Sequence, residues 1–264
     1  MKDKNKIVDV AQQEADIGID IDKVGIKGIT YPIVVLDKHR EKQQTVATIN
    51  MTVNLPRQFR GTHMSRFVDI LNRYREQEIG RHRVREILEE TKEKLQAQES
   101  HMEIAFPYFM EKKAPVSESS SLSEYYCKIS AILNKNNKFR MILCIEIPVM
   151  NLCPCSKELC EQGAHNQRCK VTVQLYSPKL VWIEDIVEMV ESSASSPVYT
   201  LLKREDEQHI CDSAYNRPRF VEDIVREIAH KLSKIEGIKW FSVASENFES
   251  IHNHNAYAFI ERTF

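Results

Sequence analysis

A chain of 264 residues that is 42% hydrophobic and 28% charged can bury a substantial core, as one large domain or two small ones. Its net charge of −1 gives no global reason to expect nucleic acid or membrane partners, and no apolar run approaches the roughly 18–20 residues that span a bilayer. Met1-Lys-Asp-Lys-Asn-Lys-Ile7 lacks the apolar stretch of a secretory signal, so the seven scattered cysteines read as reduced cytoplasmic thiols instead of a disulfide framework.

Residues 1–24 are polar and acidic with little periodicity, and read as an arm that Gly25-Ile-Lys-Gly28 closes. Tyr31–Leu36 is a short β-branched run. Thr45–Leu55 alternates strictly, with Ala47, Ile49, Met51, Val53 and Leu55 on one face, which predicts a strand. Phe67, Ile70, Leu71 and Tyr74 recur at helical spacing. After Gly80, Val84, Ile87, Leu88 and Leu95 do the same. Strand patterns return at Met102–Tyr108 and Tyr125–Leu133, with a Ser-rich loop between them.

Asn134-Lys-Asn-Asn-Lys138 is a turn, and the order then runs again. Strands are expected around Met141–Ile147 and Val171–Leu175. A short helix is expected around Trp182–Val190 and a longer one around Phe220–Ile235. The last strands are expected at Trp240–Ser245 and Ala256–Ile260. Strand-strand-helix-helix-strand-strand, twice, predicts an α+β protein of two tandem modules with antiparallel sheets. The expected division is an arm over 1–28, a first module over 29–135, and a second over 136–264 that carries most of the candidate site.

The polar segments hold the chemistry. Asn151-Leu-Cys-Pro-Cys-Ser-Lys157 places two thiols one residue apart, and Gly163-Ala-His-Asn166 follows. One intervening proline makes it hard for Cys153 and Cys155 to reach the same metal, so one thiolate reads as a ligand and the other as free or supporting. His165 sits in a loop, where a histidine is either a ligand or merely solvated. Glu205-Asp-Glu207 is a charge run, which by itself is a solvated face. Glu222 stands in the first turn of an amphipathic helix, where the dipole favours a carboxylate. Glu246, Glu249, His252 and His254 cluster between two strands, as general acid–base residues or as a polar hairpin. From Arg57 to Arg85 there are eight arginines, and those at the strand-to-helix junction suit a phosphate. The stretch lacks the interleaved aromatics of a nucleic-acid strand-binding surface. No P-loop, Gly-x-Gly-x-x-Gly or His-Glu-x-x-His is present.

Taken together, Leu55-Pro-Arg-Gln-Phe-Arg-Gly-Thr-His-Met-Ser-Arg-Phe67, Pro154-Cys-Ser-Lys157, Gly163-Ala-His-Asn-Gln-Arg168, Pro218-Arg-Phe-Val-Glu-Asp223 and Glu246-Asn-Phe-Glu-Ser-Ile-His-Asn-His-Asn-Ala-Tyr257 resemble the prokaryotic type IB GTP cyclohydrolases. The resemblance spans nearly the whole chain except the arm. It implies a tandem tunnelling fold (T-fold) whose sheets form a barrel on oligomerisation, and a homotetramer with active sites at subunit interfaces. The implied reaction turns GTP and water into 7,8-dihydroneopterin triphosphate and formate, the entry to folate-type pterin synthesis. The implied cofactor is a divalent metal, Zn²⁺ or Mn²⁺. Residue by residue, the resemblance implies Cys153, His165 and Glu207 as the metal set, with Glu249 as a further ligand. His165, His252 and His254 become proton carriers, and Cys155 either supports the site or attacks. Glu222 becomes the purine anchor, accepting from the guanine N1–H and 2-amino edge. Arg57, Arg60, His63 and Arg66 become candidates for the triphosphate.

Two other readings stand beside this one. A nitrile reductase of queuosine synthesis with the same fold would use a cysteine nucleophile and NADPH, but its nicotinamide signature is not apparent. A non-catalytic, metal-binding oligomeric protein would bind metal and leave GTP intact.

Overall fold

The computed structural model describes residues 9–264. The first eight residues of the expected arm lie outside them. The chain divides into two compact units. The first holds the described residues up to Ala105 together with Ile129–Met141, and the second holds Phe106–Lys128 and Ile142–Phe264.

In the first unit, β1 (Ile21–Asp37) and β2 (Glu41–Leu55) form a long antiparallel hairpin from Ile21 opposite Leu55 to Asp37 opposite Glu41, with register shifts between Ile21 and Val24 and between Ile26 and Ile29. Thr45, Ala47, Ile49, Met51, Val53 and Leu55 are buried, as the period-two pattern requires. β1 begins inside the stretch expected as arm. Its first half carries no alternation, because Gly25 and a register shift between Ile26 and Ile29 interrupt it. A Cβ on Gly25 would lie 2.1 Å from the Met51 carbonyl oxygen, so only glycine lets the two backbones approach. Helices α1 (Met64–Arg73) and α2 (Arg81–Leu95) flank the short β3 (Glu78–Ile79), which pairs parallel to β1. The helices bury Phe67, Ile70 and Leu71 and then Val84, Ile87 and Leu88, the residues their spacing selects. β4 (Ser100–Lys113) pairs antiparallel with β2 along its first residues.

The described part of the arm is folded back. The Asp20 carboxylate accepts from the Arg57 amide at 2.7 Å. The Arg60 and Gly61 amides donate to the Gln13 and Ala11 carbonyls.

In the second unit, β6 (Phe139–Leu152), β7 (Asn166–Tyr176), β9 (Trp240–Asn247) and β10 (Ala256–Thr263) pair antiparallel in that order. Helices α4 (Ile183–Glu191) and α6 (Val221–Leu232) bury Ile186, Val187 and Val190 and then Ile224, Val225, Ile228 and Leu232. Between them lie the short β8 (Ser196–Pro197) and the mostly exposed α5 (Arg204–Asn216). The six-residue α3 (Pro154–Leu159) follows β6. Among the described residues, no helix is long and apolar enough to cross a membrane.

The expected tandem tunnelling fold is corrected here. With β5 (Ser120–Leu133), the strands form one ten-stranded sheet, ordered β10-β9-β7-β6-β5-β4-β2-β1-β3 with β8 on β6, and not two barrel-forming modules. The pairing is mixed, because β1 and β3 run parallel. The physical reason lies at the expected boundary. Asn134–Lys138 is a tight hairpin turn, closed by the Asn134 amide donating to the Lys138 carbonyl at 3.2 Å, with Asn137 at φ 56°. Such a turn joins neighbouring strands of one sheet.

Candidate functional site

The site grows from the ends of three strands in the second unit. β6 and β7 are in register to their last pair, Leu152 opposite Asn166. One rung further, the Cys153 amide donates to the His165 carbonyl at 3.1 Å. The two residues that the sequence singled out are therefore held face to face by the ladder itself. Everything between them is an excursion. Cys153 caps α3, its sulfur accepting from the Ser156 amide at 3.5 Å, and Pro154 fills the first helical position. Ser156 Oγ accepts the His165 amide at 3.1 Å.

β9 brings the third component. Asn247 pairs with Cys169, and the Phe248 amide donates to the Arg168 carbonyl. Glu249 then turns towards His165, with Oε2 3.9 Å from Nδ1. That oxygen is buried and has no hydrogen-bond partner among the described residues. Gln167 stands between the two, Oε1 3.1 Å from His165 Nδ1 and Nε2 3.4 Å from Glu249 Oε1. The Arg219 amide donates to the Leu152 carbonyl at 3.0 Å, which ties the start of α6 to the same strand end. Glu222, in the first turn of α6, is exposed.

Cys155 is exposed beside the half-buried Cys153. Cys169 is different: burial pushes its thiol up to about 12, so it stays a protonated core residue. His252 and His254 are exposed and stacked, with ring centroids 5.2 Å apart, on the same β9–β10 connection as Glu249.

Glu207 lies in the first turn of α5 and is exposed. The far end of that helix is fixed to α3, where Lys157 Nζ donates to the Tyr215 carbonyl at 2.5 Å. About 12 Å of helix separate Tyr215 from Glu207 at 1.5 Å per residue. Its neighbour Asp206 is buried instead, and accepts from Ser117 Oγ and from the amides of Ser117, Val116 and Lys203.

The arginine-rich junction belongs to the first unit. Arg57 and Arg60 are exposed. His63 Nε2 lies 2.9 Å from the Asp9 carboxylate. Arg66 is committed elsewhere, donating to the Lys94 carbonyl at 2.8 Å near the C-terminus of α2, where a cation is favoured.

A divalent metal fits the donor chemistry at the β6–β7 end. A thiol, an imidazole and a buried carboxylate oxygen lacking a partner suit a borderline-soft cation. The described residues hold no group of three or more His, Cys, Asp or Glu already set to grip one. Sequence reading missed Gln167. Its position two residues from His165 on a strand puts both side chains on one face, and that spacing was the available signal.

The type I GTP cyclohydrolase FolE2 family model matches residues 7–258. A GTP cyclohydrolase FolE2 of Geotalea uraniireducens is 56% identical over 254 residues, covering 96% of this chain and 93% of the relative. Those of Geobacter metallireducens and Citrifermentans bemidjiense are 57% and 54% identical, covering 92% and 98% of this chain and 92% and 96% of the relatives. Among solved structures, a uricase from Arthrobacter globiformis is similar with a TM-score of 0.52 at 8% identity, covering 92% of each chain. A urate oxidase from Bacillus sp. TB-90 reaches 0.54 at 8% identity, covering 92% of this chain and 100% of that one. These likenesses show fold alone, and with the single sheet they replace the expected tunnelling-fold barrel by a uricase-like architecture. The sequence match stands at the level of type I and FolE2, and does not carry the type IB, tunnelling-fold label. On a match that runs from residue 7 to 258 and relatives more than half identical, the chain belongs to the type I GTP cyclohydrolase FolE2 family.

Proposed function

We propose that the β6–β7 strand end is the catalytic centre of a GTP cyclohydrolase I that converts GTP and water into 7,8-dihydroneopterin triphosphate and formate. The observation that carries this reading is the backbone rung that pairs Cys153 with His165, with a buried Glu249 oxygen 3.9 Å from the His165 ring, beside the start of α6, in a chain of this family.

Cys153, His165 and Glu207, with Glu249, would hold the divalent metal, Zn²⁺ or Mn²⁺. Such an ion supplies Lewis acidity and lowers the pKa of water near a purine carbon. The chain's own groups do the rest. Glu222 offers two carboxylate oxygens to the N1–H and 2-amino group of guanine, a bidentate match that selects this base. His165, His252 and His254 pass protons as the imidazole ring opens and formate leaves. Cys155 stands exposed next to the site as a supporting or attacking thiol. Arg57, Arg60 and His63 are the candidates for the triphosphate, and both arginines are exposed. Arg66 acts there by holding α1 against α2.

Assembly as a homotetramer with sites at subunit interfaces belongs to the reading. It is supported by the exposed Tyr257 and Phe259 on β10, which is an edge strand. A cytoplasmic home is supported by seven free cysteines.

The test is direct. Metal-stripped protein is given GTP with Mn²⁺ or Zn²⁺, and fluorescent oxidised pterin and formate are measured together. Equal amounts of both products are expected. GTP left intact across every divalent ion tried overturns the reading.

A further inference from the structure

We infer that Gln167 is a positioning residue that fixes which ring nitrogen of His165 faces the reacting partners. The inference rests on the reading of His165 as a functional residue of the strand-end site. Gln167 is 7% exposed, so its carboxamide is locked among its neighbours. It makes two contacts of opposite sense, Oε1 to His165 Nδ1 at 3.1 Å and Nε2 to Glu249 Oε1 at 3.4 Å.

An ionised carboxylate only accepts hydrogen bonds. The Gln167 NH₂ faces Glu249 Oε1 and donates to it. The amide oxygen is left facing the imidazole, and that oxygen also only accepts. His165 Nδ1 must then be the N–H that donates. The proton is fixed on Nδ1, and the Nε2 lone pair is left open for a cation or for an incoming proton. The chain Glu249–Gln167–His165 thus transmits one instruction: a carboxylate on β9's exit sets a tautomer on β7's entry. Backbone restraints complete the placement. Ser156 Oγ holds the His165 amide, and the Cys153 amide holds its carbonyl. The second Glu249 oxygen lies 3.9 Å from Nδ1 and makes no hydrogen bond among the described residues. Groups that orient a metal-binding histidine in this way typically change affinity by about 10–100-fold when removed.

The experiment compares wild type, Gln167→Leu and Gln167→Glu, all metal-stripped. In ¹⁵N-histidine-labelled protein, long-range ¹H–¹⁵N correlation reports the tautomer of His165, assigned with a His165→Asn variant. Cobalt(II) titration, followed by absorption, then gives the metal Kd. Wild type should show Nδ1–H. Gln167→Leu should show mixed tautomers and bind Co²⁺ about 10–100-fold more weakly, with an unchanged melting temperature. Gln167→Glu keeps an acceptor opposite Nδ1 and should retain the Nδ1–H signal. Nε2–H in the wild-type protein, or Co²⁺ affinity of Gln167→Leu within twofold of wild type, overturns the inference. If the leucine variant fails to fold, the wild-type tautomer and the glutamate variant still decide. GTP turnover by wild type is scored separately. Turnover with the wrong tautomer removes only this inference, whereas absent turnover removes the cyclohydrolase reading and leaves the tautomer result standing.

Discussion

Asp206 is buried among four donors while Glu205 and Glu207 on either side of it are exposed. Burial pushes its carboxyl up, but the bonds from Ser117 and from the Lys203 and Val116 amides outweigh that and hold it far below the usual carboxylate range. The sign of the linkage follows. A depressed folded-state value gives stability that is present above the unfolded carboxylate pKa of about 4 and is lost as pH falls below it. Asp206→Asn should therefore melt several degrees lower at pH 7, and the gap to wild type should begin to narrow as pH drops below about 4. Parallel melting curves across that range would refute the assignment. Glu222 is the opposite case. It is exposed in the first turn of its helix, so Glu222→Ala should leave the melting temperature nearly unchanged. On the proposed reading, the loss of two charge-assisted bonds to guanine should lower kcat/KM for GTP by about 100-fold. Unaltered turnover would remove Glu222 from the site. Sequence alone could not tell these carboxylates apart. A run of three acids has no period, and what buries one of them is a loop about ninety residues earlier in the chain.

Elements were legible where burial imposed a period and illegible where it did not. β2 alternates from Thr45 to Leu55 and was readable over that stretch, while its first four residues, 41–44, carry no alternation. α5 was not readable as a helix, because it buries only Asp206 and Ala214 and so carries no apolar stripe. Its start is instead fixed by the Asp206 carboxylate accepting the Lys203 amide at 2.9 Å. The first half of β1 escaped for a related reason. Its residues are mostly exposed, and its ordering device is the absence of a side chain at Gly25. Gly25→Ala should cost about 1–3 kcal/mol, since the added methyl would collide with the Met51 carbonyl and rigid backbone must move. Urea unfolding would read this as a shifted midpoint, and a midpoint equal to wild type would show that the β1–β2 crossing is looser than the geometry indicates. The candidate site was half legible. Cys153, His165 and Glu249 stood out by residue type, but the register that joins them, Leu152 opposite Asn166, and the amide bridging two of them, Gln167, belong to pairing and not to spacing.

For the whole molecule, the repeated strand-helix order was visible in the sequence, and its assignment to two barrel-forming modules was not sustained. A single ten-stranded sheet runs past the expected boundary, because a hairpin turn continues a sheet just as readily as a linker ends one. If the tetramer reading is right, light scattering coupled to size exclusion should give a mass near four times 30.8 kDa, and a monomer at micromolar concentration would contradict it. One more consequence follows from the rung formed by the Cys153 amide and the His165 carbonyl. Thiol and imidazole are carried by the rigid ladder, so their separation is not metered by the peptide that wanders between them. Within that stretch Ser156 bonds both Cys153 and His165 and Cys155 is a candidate thiol, so the room for change lies past α3, at the exposed residues 161–163, where a reporter could be inserted while the donors keep their positions.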